Sequence, residues 1–494
     1  MRSTGVWVLF LLAWLGCGGG PGENGALAHG WAPLGWAHEQ PEGYDSDVYR
    51  WLDSKQQQRT AVLTRNEARD PGGSHGGMLR RYRILVDSQE RVATGTGASG
   101  LWNGWGYVVS HYDKTVARSA DLPGRHRQVF LGRHHAVHEF SWDLPIREAL
   151  VKVTVHWFFA TGRDHPVYAI TFDTREAGPA GLAPAADSRA PYGALNWDGD
   201  GTDALVDGVK WGDKYRFASL DEPLTAQSRW DYSEPNVVPY ALTYSRTADA
   251  EMGAVQTVSW KEHNTGSTWF YDNWGRTSDN PVDSGGFDTW RMPASWNWPY
   301  QLCQYEMDDT EPTRSKRLSW GLMYGAVGRP SYWGYGYERR YTGHPYQSYS
   351  VFMVMGRQST ADVLAQVTQV ERLLQTQLRA TQGHVVRQGP GGVAREDAEK
   401  YPVAGYNSTY GVHELLADRT GGFTLTLDTG GRDLRNPIFL IRGMGGLPGR
   451  LTLEGKELVA DRDYFASYDA ATDAVWLTLN RVWSGSHTLA GGRP

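Results

Sequence analysis

The chain has 494 residues, long enough for two or three domains around a large core. Hydrophobic residues make up 40% and charged residues 21%, which excludes a disordered chain. The formal net charge of -6 argues against a nucleic-acid binder, and only a local Arg/Lys cleft would hold an anionic polymer. Trp (22) and Tyr (26) outnumber Phe (13), a bias towards aromatics that carry a polar atom and suit wet, stacking surfaces.

Residues 1–20 read as an export signal. Arg2 supplies the charge, and Val6 to Leu15 supply an apolar run too short to span a bilayer. Leu15-Gly16-Cys17 followed by Gly resembles a bacterial lipoprotein signal, with Cys17 as the lipidated residue. Trp14, where such signals usually carry Leu, leaves open ordinary cleavage near Ala26-Leu27-Ala28. Either way the expected location is outside the cytoplasm: periplasm, cell surface or medium, with membrane contact only through Cys17. Two cysteines are present, so with Cys17 in the leader no disulfide framework is expected, and Cys303 reads as a small core residue.

Residues 21–44 are rich in Gly and Pro and read as a linker. Residues 45–358 read as a large β domain. Tyr82 to Val86, Gly106 to Ser110, Gln128 to Leu131, Val137 to Trp142 and Ala149 to Ala160 are strand expectations. In the last of these, Val151, Val153, Val155 and Trp157 face one way, and Lys152, Thr154 and His156 the other. Thr161 to Asp164 reads as a turn and Val167 to Phe172 as the returning strand of a hairpin. Further short strands are expected at Lys214 to Ala218, Ala241 to Arg246, Gly253 to Trp260, Leu318 to Val327 and Tyr349 to Met355.

Thr360 to Thr381 carries Val363, Val367, Val370, Leu374 and Leu378 at helical spacing, with Ser359 or Thr360 as N-cap and Gly383 as the stop. This predicts a connecting helix over 359–383. A polar connector over 384–420 follows, and then a small β-sandwich over 421–494, with strands at Phe423 to Leu427, Ile438 to Ile441, Arg450 to Leu453 and Val475 to Leu479. The fold class is therefore all-β: a large antiparallel sandwich, one helix and a small terminal sandwich.

The densest cluster of recognition chemistry is His263 to Tyr305. Trp269, Tyr271, Trp274, Trp296, Trp298, Tyr300 and Tyr305 alternate with Asp272, Arg276, Arg291, Asn297 and Gln304. Flat rings stack on the C–H faces of sugars, while amide, carboxylate and guanidinium groups bond hydroxyls or a uronate carboxylate. A core-filling segment would carry Leu, Ile and Val with fewer polar residues between; the competing reading is that these rings are core.

Asn196 to Asp207 matches a twelve-residue calcium loop in part, with Asn196, Asp198, Asp200, Thr202 and Asp207 at ligand positions and Gly201 at the sharp turn. A solvated Asp/Gly turn is the alternative. His134, His135, His138, His156 and His165 cluster in the first half. His156 is a candidate base for abstracting the C5 proton of a uronate, and His138 could meet it across a sheet. Zinc on His135, His138 and His156 is a rival, weakened because strand residues three apart point to opposite faces. Paired carboxylates drawn from Glu139, Asp143, Asp198, Asp200, Glu262, Asp272 and Glu306 would instead serve a glycosidase. The Asn407-Ser408-Thr409 sequon has no meaning in a bacterial chain.

Over residues 45–490 the architecture and aromatic-rich composition resemble secreted carbohydrate-active proteins built on a galactose-mutarotase-like sandwich. That class includes polysaccharide lyases and some glycoside hydrolases. The resemblance implies glycan binding on a concave sheet face, and a lyase using Tyr or His with Arg or Asn. Here that implies Tyr271, His263 and Arg276. The leading expectation is a polysaccharide lyase: His263 or His156 as base, Tyr271 as proton donor, Arg276 or Arg291 as carboxylate clamp. A glycoside hydrolase, a non-catalytic glycan-binding lipoprotein and a structural envelope protein are the alternatives.

Overall fold

The computed structural model describes residues 30–41, 45–65, 77–86, 88–94, 105–112, 115–119, 122–146, 149–173, 187–193, 196–197, 208–212, 216–219, 238, 240–246, 248–258, 296–297, 304–308, 317–321, 346–390, 398–400 and 403–493. The chain is an all-β protein with several antiparallel sheets and one α-helix among these residues.

Two nine-stranded sheets form the large unit. The first contains the N-terminal strands from Gly35–Glu39 to Trp105–Tyr112. Gly35–Glu39 pairs with Ser46–Leu52, so part of the expected linker is a sheet edge. The second sheet centres on the hairpin Ala149–Ala160 and Val167–Asp173, flanked by His135–Ile146 on one side and Tyr346–Gly356 on the other. Alternation along Ala149–Ala160 sets its two faces. Trp157 and Phe159 point towards the first sheet, where Phe159 stacks on Tyr49 at 4.3 Å and Trp157 Nε1 donates to the Gly77 carbonyl at 2.9 Å. Thr154, His156 and Phe158 point the other way, towards the C-terminal unit.

The helix Ala361–Gln375 buries Val363, Gln366, Val367, Val370 and Leu373. It is shorter than its apolar spacing predicts. Thr360 has φ of 63° and no side-chain cap; instead its N–H donates to the buried Glu251 carboxylate at 2.6 Å. After Thr376 the chain becomes the strand Gln377–Gln382, which pairs with Phe423–Asp428, so Leu378 belongs to the terminal core rather than to the helix. A heptad-like spacing of apolar residues does not separate a helix from a helix followed by a strand.

The C-terminal unit is a sandwich of a five-stranded and a six-stranded sheet. The six-stranded sheet also takes in Val412–Leu416, which runs parallel to Ile438–Arg442 inside the expected connector. Alternation in Ile438–Arg442 divides two cores: Phe439 and Ile441 join the terminal core, while Ile438 and Leu440 join one that reaches across to Phe130, Phe158 and Phe352 of the large sheet. Trp476 lies in that shared core, 4.7 Å from the Phe158 ring. The C-terminal sandwich is thus bonded by apolar contact to the outer face of the second large sheet.

Candidate active site

The register of Ala149–Ala160 against His135–Ile146 places His156 opposite Glu139, and Trp157 opposite His138. His138 and His156 therefore lie on opposite faces of the sheet and do not meet. A slip of one residue would have brought them together, which is why strand spacing alone did not decide it. His138 instead stacks on Phe140 at 4.7 Å and meets the Tyr49 hydroxyl at 3.0 Å. His135 has both ring nitrogens engaged, with Ser467 Oγ at 3.0 Å and Thr478 Oγ1 at 2.8 Å. The rival zinc set, His135, His138 and His156, does not converge, since His138 lies on the opposite face from His156. No group of three metal-ligating side chains occurs among the described residues.

His156 and Glu139 share the face towards the C-terminal sandwich, and a cleft of about 330 Å³ opens there. His156 Nε2 is 2.9 Å from Glu139 Oε2, and its Nδ1 is 2.7 Å from the Tyr410 hydroxyl. Arg127 grips the far side of Glu139 through Nε at 3.2 Å and Nη2 at 2.9 Å. Glu139 is partly buried, yet the His156 and Arg127 hydrogen bonds outweigh the desolvation that opposes them and hold its carboxyl down at about 2. An ionised Glu139 accepts from Nε2–H, and in the neutral imidazole Nδ1 then accepts from the Tyr410 O–H. Burial raises the Tyr410 phenol well above its ordinary value; Arg442 opposes it, and Glu139 and Glu414 add smaller upward contributions. Tyr410 is thus a protonated phenol within hydrogen-bond distance of His156 Nδ1.

Lys152 and Arg442 also line the cleft, Arg442 being ion-paired with Glu414. Asp469 lies in the wall, but Oδ1 accepts from Ala471 N at 3.0 Å and Oδ2 from Thr472 Oγ1 at 2.6 Å. Trp476 is only 5% exposed, so it supports the floor and does not offer a stacking face.

Tyr410 is fixed from below by a second polar line. Asn407 Oδ1 accepts from the backbone N–H of Thr409 at 3.0 Å and of Tyr410 at 3.4 Å. Asn407 Nδ2 donates to Glu414 Oε2 at 2.7 Å, and Glu414 Oε1 takes Arg442 Nε at 2.5 Å. The sequon asparagine is fully buried and its amide is used to build the turn that presents Tyr410.

Of the candidate residues named from the sequence, His156 and Glu139 are seen in this cleft, Glu139 having been named only among the carboxylates of the glycosidase alternative. His263, Trp269, Tyr271, Asp272, Trp274, Arg276, Arg291, Trp298 and Tyr300 lie outside the described residues. Trp296 pairs with Tyr305 and Asn297 with Gln304 in a small three-stranded sheet. Asn196 pairs with Thr94, and Asp198 to Asp207 lie outside the described residues, Thr202 among them. Tyr410 was missed from sequence. The signal that could have found it is the turn-forming run Asn407 to Gly411, with a Tyr flanked by polar residues.

Comparison with known proteins returned no matching family model and no matching curated sequence.

Proposed function

We propose that the chain is a polysaccharide lyase that cleaves a uronate-containing glycan by β-elimination, with Tyr410, His156 and Glu139 as its proton relay. The observation that supports this reading is the His156 ring held between the Tyr410 hydroxyl and the Glu139 carboxylate in a cleft lined by Lys152 and Arg442. The uronate carboxylate binds the cations, which stabilise negative charge developing at C5. The Tyr410 oxygen takes the C5 proton as its own proton passes to His156 Nδ1, and Glu139 stabilises the imidazolium. The C5–H electron pair forms the C4–C5 double bond, the C4–O4 bond breaks, and O4 leaves with the C4–O4 pair and takes a proton from Tyr410, which His156 reprotonates. No water is consumed.

The glycosidase alternative needs a protonated carboxylic acid beside the leaving oxygen. Glu139 is held ionised and Asp469 is occupied with its own turn, so neither carboxylate of the cleft is suited to that role. The test is incubation of the purified protein with a panel of uronate glycans. New ultraviolet absorbance from unsaturated ends supports the lyase. New reducing ends without that absorbance would replace it by a hydrolase, and binding without turnover by a glycan-binding protein.

Two sequence expectations join this proposal. The leader directs export, with Cys17 as lipid anchor, which fractionation of wild type against Cys17→Ala tests. The loop from Asn196 to Asp207 binds calcium, which calorimetric titration of wild type against Asp200→Ala tests.

A further inference from the structure

The outer face of Ala149–Ala160 passes from open to sealed along its length. Leu150 is 62% exposed and Lys152 is exposed, whereas Thr154 keeps 2% and Phe158 none. With His156 these residues form one row, at steps of about 7 Å along the strand. The neighbouring strands change in the same direction. On His135–Ile146, Asp143 is exposed, Glu139 is partly buried and Val137 is buried; on Arg125–Leu131, Arg127 is exposed and Phe130 is buried. Register sets Val137 opposite both Phe158 and Phe130. Trp476 of the C-terminal sandwich closes over that line, its ring 4.7 Å from Phe158 and 6.4 Å from Phe130.

The side towards Val167–Asp173 is closed as well. Ala169 and Thr171 stand opposite His156 and Thr154, and each keeps 1% exposure. On Ala149–Ala160 the cleft is lined by Lys152, Thr154 and His156 and goes no further. Its floor therefore ends at the relay, and its open rim lies at Arg127 and Lys152. A polymer running through would need an exit beyond His156. Opening one would pull apart Phe130, Val137, Phe158 and Trp476, at a cost of roughly 1.5–3 kcal/mol for each large side chain uncovered. The cleft volume of about 330 Å³ is also near the bottom of the ~300–1,000 Å³ range of small-molecule sites, which suits a chain end and not a long bound segment.

We propose that the cleft is blind and admits one end of a uronate glycan, so that elimination trims short fragments from that end and does not cut within the chain. The C4–O4 bond that reaches Tyr410 is then one close to the chain terminus. The trimming rests on the lyase reading; the end-limited binding does not.

Two measurements test it. In the first, viscosity and fragment size are followed while wild type acts on polygalacturonate, alginate and hyaluronate. The expected result is a small unsaturated fragment as the earliest product, with viscosity falling slowly as absorbance rises. Early collapse of viscosity with a ladder of lengths would overturn the blind cleft and leave the lyase reading intact. The second is calorimetric titration of Tyr410→Phe with size fractions of the same polymers, which needs no turnover. Saturation should follow the molar concentration of chains, so that longer fractions need proportionally more mass. Saturation at equal mass whatever the length would overturn the proposal, as would no saturable binding by any fraction. End-limited binding without elimination by wild type would support the blind cleft and remove the lyase.

Discussion

The Tyr410 hydroxyl lies 2.7 Å from His156 Nδ1, joining a residue of the C-terminal unit to the outer face of the large sheet across 254 positions of chain. The C-terminal sandwich on this account completes the site. Tyr410→Phe keeps the ring contacts with Phe158 and Trp476 and removes only the hydroxyl. We predict a loss in kcat of about 10²–10⁴-fold on the responsive glycan, with a stability change near 1 kcal/mol or below. Kinetics and urea unfolding on the same preparation check both halves.

Glu139 carries a pH signature. Its carboxyl lies at about 2 in the folded chain against 4.5 for the free group, so the folded state favours the ionised form. The stabilisation is fully present above pH 4.5 and is lost as pH falls towards 2. The shift corresponds to roughly 2–3 kcal/mol, allowing for screening on the exposed Arg127 side. Glu139→Gln should abolish this part of the acid-side decline in urea midpoints measured across pH.

His138 and His413 act in a higher window. Burial lowers each from 6.5 to about 4, so both are held neutral in the fold. The unfolded chain binds the extra protons first, and stability therefore falls as pH drops from 6.5 to 4, by roughly 3 kcal/mol for each group. Proton uptake on unfolding, measured calorimetrically in buffers of different ionisation enthalpy, should decrease when His413 is replaced by Phe.

The turn beneath Tyr410 offers a test of positioning. Asn407→Ala leaves the buried Glu414 Oε2 without the Asn407 amide and frees the N–H groups of Thr409 and Tyr410. We predict a cost of about 1–3 kcal/mol in stability and a fall in kcat that exceeds any change in KM. Asn407→Asp, which keeps the acceptor for the turn but faces Glu414 with like charge, should restore little.

The alternation of Ala149–Ala160 and the turn at Thr161 were legible because both are local: a period of two and a Gly-containing reversal. His156 could be placed on a face by the same reasoning. Its partners could not. Whether Glu139 or His138 opposes it depends on a register set by packing of Phe140 and Trp157 against the first sheet, and Tyr410 arrives through a topology that no spacing encodes. The helix was overextended because Leu378 keeps the apolar period while the strand at Gln377 takes over.

Elimination through Tyr410 and His156 is measured by mixing the purified chain with a uronate glycan panel and following ultraviolet absorbance, beside Tyr410→Phe and His156→Ala. At least one glycan should yield unsaturated uronate ends with wild type, and both variants, folded by circular dichroism, should be reduced at least ~100-fold, about 3 kcal/mol in barrier. Undiminished elimination by Tyr410→Phe, or no elimination by wild type on any uronate, would contradict this route.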